Sequence, residues 1–182
     1  MLAQLIHAPR ADDIALLKNT SEALSVVAHG LAWQAGDNVV ISDQEFTSNR
    51  IVWESLKSQG VEIRRVKLDF NQPEQLLIEQ MDDRTRLLSI SAVQYASGLR
   101  MDLHTLGQAC KPKNIIFVVD AIQQIGGFQL DCQAIEADFV VSDGHKWMLG
   151  PEGLALVNCR EQLLTRLKLN QYGWHMVEDL SD

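Results

Sequence analysis

The chain has 182 residues, 46% of them hydrophobic and 22% charged, with a formal net charge of −8. That length suffices for one domain with a sizeable core, and the acidity excludes a general attraction to nucleic acid or to an anionic membrane. No apolar run reaches the length of a membrane span, and Met1-Leu2-Ala3-Gln4-Leu5-Ile6-His7 lacks the basic flank and long apolar core of a signal peptide.

Residues 13–18 read as a short strand. Asn19 has the chemistry of a helix N-cap, with Glu22 three positions on as its capping-box partner. Leu24, Val27, Ala28 and Leu31 fall on one helical face, and Gly36 lies in the exit turn. A helix opening of this kind offers free N–H groups and a positive dipole end to a phosphate. Asn38-Val39-Val40-Ile41-Ser42 is the next strand, and Gln44-Glu45-Phe46-Thr47-Ser48-Asn49 leads into a helix ending near Ser58. Residues 61–66 alternate as a strand with one wet face, and Pro73 sits in the first turn of a helix over 73–81.

The run 85–91 predicts a buried strand leading into the loop Ala92-Val93-Gln94-Tyr95-Ala96-Ser97-Gly98. A helix from Asp102 to about Cys110 ends at Lys111-Pro112-Lys113-Asn114, and a strand over 114–119 delivers Asp120. After the turn Ile125-Gly126-Gly127, residues 130–135 predict a short helical segment and 137–141 another buried strand. Gly150-Pro151-Glu152-Gly153 makes a tight turn before a strand over 154–157, and a helix is predicted over 161–169. Strands alternating with helices predict an α/β fold, a three-layer αβα sandwich around a mostly parallel sheet. Cys110, Cys132 and Cys159 are widely spaced and odd in number, so they form no metal-ligand pair or disulfide framework and read as reduced thiols of a cytoplasmic protein.

Two of these strands carry the chemistry. Val118-Val119-Asp120 ends an apolar run in a carboxylate, and Phe139-Val140-Val141 leads into Ser142-Asp143-Gly144-His145-Lys146-Trp147. In an open α/β sheet such ends meet at one crevice. A lysine past one buried strand and an aspartate past another suit a Schiff base with an aldehyde cofactor whose pyridine nitrogen the carboxylate keeps protonated.

The string Asp120-x-x-Gln123, then Ala137-Asp138-Phe139-Val140-Val141-Ser142-Asp143-Gly144-His145-Lys146-Trp147-x-x-Gly150-Pro151-x-Gly153, resembles the class V aminotransferases. That family of pyridoxal 5'-phosphate (PLP) enzymes includes cysteine desulfurases, selenocysteine lyases, isopenicillin-N-epimerase-like proteins and transaminases. The resemblance covers about residues 12–180 and implies the large, PLP-binding domain of the fold-type I enzymes over 1–182. It implies that Lys146 forms the Schiff base and moves protons at the substrate Cα, and that Asp120 pairs with the pyridinium. Thr20, Ser21, Ser142 and His145 match phosphate-binding positions. Gln123 matches a donor to the phenolic oxygen, and Gln94 an amide near that oxygen or the substrate. Phe46 stands where relatives place an aromatic ring over the cofactor, often a histidine; phenylalanine there favours an epimerase-like or general class V branch.

Relatives are homodimers about twice this length. Their C-terminal small domain supplies the arginine that clamps the substrate carboxylate and, in desulfurases, a nucleophilic cysteine, and no cysteine of this chain matches that position. The resemblance thus implies an enzyme acting on a small amino-acid substrate by β-elimination, transamination or epimerisation, represented here by its large domain alone. The alternative is a truncated, non-catalytic module that serves for binding or dimerisation. The segment Tyr172-Gly173-Trp174 also resembles one in the epimerase-like relatives.

Overall fold

The structure, a computed structural model, describes residues 1–168 and 170. It opens with a helical turn that the sequence did not signal, α1 (Leu2–Leu5), and a 3₁₀ turn at Ala11–Asp13. There follow β1 (Ile14–Leu17), α2 (Thr20–Gly30), β2 (Asn38–Ser42), α3 (Ser48–Glu54), β3 (Glu62–Val66), α4 (Pro73–Glu79) and β4 (Thr85–Ser91). Then come α5 (Leu103–Cys110), β5 (Ile116–Asp120), β6 (Phe139–Asp143), β7 (Ala155–Cys159) and α6 (Glu161–Leu164).

Among the described residues the strands form one seven-stranded sheet, ordered β1-β7-β6-β5-β4-β2-β3. The pairs β2–β3, β2–β4, β4–β5 and β5–β6 are parallel. β7 alone is reversed, antiparallel to both β1 and β6. The sheet is therefore mostly parallel, as expected, and buried on both faces, which is why β5 and β6 read as unbroken apolar runs.

Successive side chains leave a strand on opposite faces. Ile116 and Val118 of β5 and Phe139 and Val141 of β6 pack with Leu24 and Val27 of α2 and Trp53 of α3. Phe117, Val119 and Val140 pack on the other face with Leu77 of α4 and Leu103 and Leu106 of α5. Two helical layers thus enclose the sheet. Burial of each such Leu, Val or Phe contributes about 1.5–3 kcal/mol before chain entropy is counted.

Three elements differ from the sequence reading. The helix after β2 ends as α-helix at Glu54 and tightens to 3₁₀ over Ser55–Gln59, stopping at Gly60 in the left-handed conformation. Residues 132–136 form turns instead of a helical segment. Asp131 Oδ1 takes the amides of Gln133 and Ala134, at 3.0 and 2.9 Å, and so few residues cannot offset the cost of helix nucleation. The last helix, predicted over 161–169, is only the single turn of α6; Leu169 and the Gly173-Trp174 segment lie outside the described residues.

Candidate active site

The register of β5 on β6 sets the site. The two strands run in parallel with Asp120 beside Val141, so their carboxyl ends leave the sheet together. Asp120 continues the face of Ile116 and Val118, and Asp143 that of Phe139 and Val141. Both carboxylates therefore emerge on the α2 side. The chain then turns through Gly144 to His145 and Lys146.

A cleft of about 220 Å³ opens there. Asn19, Thr20 and Ser21 at the start of α2 form one wall, and Phe46 and Ser48 at the entry to α3 another. Asp120, Ile122, Asp143, His145 and Lys146 form the third. A larger cavity, about 330 Å³, lies at the other end of the strands among Arg10, Asp13, Cys132 and Arg160. In sheets of this kind ligands bind at the carboxyl ends, which selects the smaller cleft.

α2 is opened as the sequence predicts. Asn19 Oδ1 accepts from the Glu22 amide at 2.9 Å, and Glu22 Oε2 accepts from the Lys18 amide at 2.8 Å. The Thr20 hydroxyl, buried in the cleft wall, has no hydrogen-bond partner. A buried hydroxyl left unpaired costs free energy, so this atom at a helix N-terminus is poised for an acceptor such as phosphate oxygen. Ser21 Oγ meanwhile donates to Ser48 Oγ at 2.8 Å.

Asp120 is 2% exposed, and its Oδ1 accepts from the Ile122 amide at 3.1 Å. Burial pushes its carboxyl up to about 7; the Glu45 and Asp143 charges add to the rise, while the Ile122 N–H and the Lys146 ammonium oppose it. Lys146 Nζ lies 5.9 Å from the centroid of the Phe46 ring. That ring is 45% exposed and meets Tyr95 edge-to-face at 5.2 Å. His145 Nδ1 stands 3.1 Å from Asp143 Oδ1, yet that oxygen lacks a hydrogen bond of good geometry.

Of the residues singled out in the sequence, Thr20, Ser21, Phe46, Asp120, His145 and Lys146 line this one cleft. Ser142 does not. It follows Val140 on the opposite face of the sheet, where its hydroxyl is buried and reaches only the Asp143 carbonyl, at 3.4 Å. Asp143 occupies the cleft position instead, and counting by twos from Phe139 would have found it. Gln94 is also outside: it is buried behind the wall, where Nε2 donates to Glu45 Oε1 at 2.9 Å. Gln123 does not line the cleft either; its Oε1 accepts from Trp147 Nε1 at 3.2 Å.

Glu45 is the residue that sequence reasoning passed over. Its buried carboxylate gathers Ser42 Oγ, Asn49 Nδ2, the Ser91 amide and hydroxyl, and Gln94 Nε2, all within 3.1 Å. These bonds tie the ends of β2 and β4 to α3 and hold the loop that carries Phe46. The partners lie up to 49 positions away in the chain, so no local pattern announces them.

A family model described as aminotransferase class V matches residues 1–181. A probable cysteine desulfurase of Methanothermobacter thermautotrophicus is 35% identical over 94% of this chain and 44% of its own length. The solved structure of a cysteine desulfurase from Escherichia coli superimposes with a TM-score of 0.92, at 25% identity, over 98% of this chain and 46% of that one. A structure of a protein called C-DES, with glycine covalently linked to its PLP cofactor, shares the fold at a TM-score of 0.88 and 21% identity, over 95% of this chain and 47% of that one. The chain spans somewhat under half the length of these proteins.

Proposed function

The chain belongs to the class V aminotransferase family, and from that premise we propose that it is the large domain of an enzyme that binds pyridoxal 5'-phosphate and acts at the Cα of a small amino acid. The observation that carries this reading is the joint placement of Lys146, Asp120, the Phe46 ring and the unpartnered Thr20 hydroxyl on one cleft. PLP, when bound, supplies an aldehyde that captures an amino group and a ring that takes up the electrons released at Cα.

This chain's residues then divide the work. Lys146 would hold the aldehyde group through its amine and, once a substrate amine has displaced it, its freed Nζ would move the proton at Cα. Asp120 keeps a cationic ring nitrogen charged, and its burial makes that pairing strong. Phe46 covers one face of the ring and excludes water. Thr20, Ser21 and the first amides of α2 hold the phosphate, opposite His145, whose Nδ1 faces Asp143 and leaves Nε2 as its free nitrogen. Phe46 does not titrate, so it takes no part in an acid–base step.

The names of the relatives favour a desulfurase-type β-elimination over transamination or epimerisation. Cys110, Cys132 and Cys159 are all buried, and burial pushes their thiols up to about 12, 11 and 12. None of them is a ready thiolate, which suits an elimination that expels sulfur without an acceptor; a transfer of sulfur would need a thiolate from outside the described residues. The second reading, a non-catalytic binding or dimerisation module, is favoured by one observation: among the described residues no arginine lines the cleft to clamp a substrate carboxylate.

The test is absorbance of the purified chain with added PLP. A visible band that Lys146→Ala abolishes supports the cofactor reading, and identical spectra for the two proteins refute it. Turnover of L-cysteine or L-alanine then separates enzyme from module. We also propose a homodimer, because Trp147, Leu149 and Tyr95 are exposed on loops near the cleft, Leu149 at 90%. A monomer in sedimentation would remove the dimer from this reading.

A further inference from the structure

Glu45 precedes Phe46 in the chain, and its buried carboxylate reaches the end of the sheet that carries Asp120. Ser91 of β4 is the register partner of Asp120 on β5. The Ser91 amide donates to both oxygens of Glu45, at 3.1 and 3.0 Å, and the Ser91 hydroxyl donates to Oε2 at 2.5 Å. The next amide, that of Ala92, donates to the Asp120 carbonyl at 2.8 Å. One residue thus joins the stretch that presents the aromatic ring to the strands that carry the buried acid.

The directions of these bonds are fixed. The Trp53 indole and the Ser89 hydroxyl donate to Asn49 Oδ1, at 3.0 and 2.6 Å. That turns the Asn49 NH₂ group to Glu45 Oε2, at 2.7 Å. A backbone amide only donates, so Oε2 accepts from both, as a carboxylate oxygen does. Gln94 gives its Nε2 to Glu45 Oε1 at 2.9 Å and leaves its own Oε1 buried without a partner. A buried unpaired oxygen is costly, and a negative charge at Glu45 explains why the amide lies that way round.

We infer that Glu45 is a positioning residue of the cleft, a buried anion that fixes the Phe46 ring by its reach and acts on Asp120 by its charge. In its bearing on a cofactor the inference rests on the PLP reading above. The charged groups that face Asp120 are Glu45, Asp143 and Lys146, and Glu45 opposes a second negative charge there. Glu45 thereby reserves the charged form of Asp120 for a cleft that holds a cation.

Two substitutions separate reach from charge. Glu45→Gln keeps the reach and drops the charge, and Gln94 can turn over to offer its unpaired Oε1 to the new NH₂ group. Glu45→Asp keeps the charge and falls one methylene short. In the cofactor-free chain, NMR of the Asp120 carboxyl carbon should show proton affinity lowered about fivefold by Glu45→Gln and nearly unchanged by Glu45→Asp. The edge-to-face contact of Phe46 with Tyr95, 5.2 Å between centroids, should persist in Glu45→Gln and loosen in Glu45→Asp, read from ring-proton shifts. With PLP added, Glu45→Asp should weaken binding about tenfold, and should weaken it no further where Phe46→Ala is already present. A merely structural glutamate would make the two variants behave alike. An unmoved Asp120 titration in Glu45→Gln, an intact ring contact in Glu45→Asp, or equal effects of both variants overturns the inference and leaves the cofactor reading intact. Absence of any visible band in the wild-type chain with PLP refutes the cofactor reading, while the two cofactor-free measurements still decide the role of Glu45.

Discussion

Asp120 carries a cost in the cofactor-free chain that a single substitution removes. Burial and the nearby acids raise its carboxyl from the ordinary 3.8 to about 7. At ~1.4 kcal/mol per tenfold change in proton affinity, that rise corresponds to ~4 kcal/mol. The sign follows from linkage. Below 3.8 the group is protonated whether the chain is folded or not, and nothing is lost. As pH climbs from 3.8 towards 7 the unfolded chain releases the proton that the folded chain keeps, so stability falls by ~1.4 kcal/mol per pH unit. Above 7 the full penalty stands. Asp120→Asn keeps an oxygen for the Ile122 amide and carries no charge. Urea unfolding of the cofactor-free chain should therefore show the variant more stable than wild type by about 3–4 kcal/mol at pH 8, with the gap closing by pH 4. Added PLP should narrow the gap at pH 8, because a ring cation rewards the carboxylate and not the amide. A variant no more stable than wild type at pH 8, or a gap that does not change with pH, would refute the reasoning.

Three further substitutions separate binding from folding. Thr20→Val removes the unpartnered hydroxyl while keeping its shape. It should stabilise the cofactor-free chain by about 1 kcal/mol in a thermal melt and weaken PLP about tenfold in a spectral titration, with pyridoxal, which lacks the phosphate, little affected. Equal weakening of both ligands would count against a phosphate at this helix end. Gly126→Ala must place a Cβ against the Trp147 carbonyl at φ +94, whereas Gly153→Ala, at φ +86, meets nothing within 4 Å. The first should lower the unfolding free energy measured in urea by more than about 2 kcal/mol, and the second by about 1 kcal/mol. Similar losses would show that backbone conformation alone governs both glycines.

Much of the candidate cleft was legible in the sequence because residues that line it sit where a buried run stops. Asp120 ends one such run, Lys146 lies just beyond another, and Thr20 follows an N-cap. Each of these signals is local. The reading failed where position depends on a distant partner. Ser142 and Asp143 are adjacent and equally polar in appearance, and β6 is buried on both faces, so no wet–dry alternation showed which of them faces α2. Gln94 reads as a loop glutamine, yet the Glu45 carboxylate, 49 positions earlier, claims its amide. The reversal of β7 was equally hidden, since a five-residue buried strand reads the same in either direction.

The charges in the cleft define the ligand more narrowly than its shape does. Asp120 lies beneath the cleft without a strong donor, and its raised carboxyl shows how poorly the bare protein accommodates a charge there. The start of α2 attracts the opposite sign, with free amides and the unpartnered Thr20 hydroxyl. A simple cation would satisfy the carboxylate and leave the helix end unanswered; a simple anion would do the reverse. A molecule that holds a protonated ring nitrogen apart from a phosphate answers both, and its flat ring suits the exposed face of Phe46. Asp143 then has a definite part. On the proposed reading Asp143 orients the ring of His145, whose Nδ1 stands 3.1 Å from Asp143 Oδ1 and whose Nε2 is left for the phosphate. Substituting Asp143 alone would then remove the contact that orients the ring.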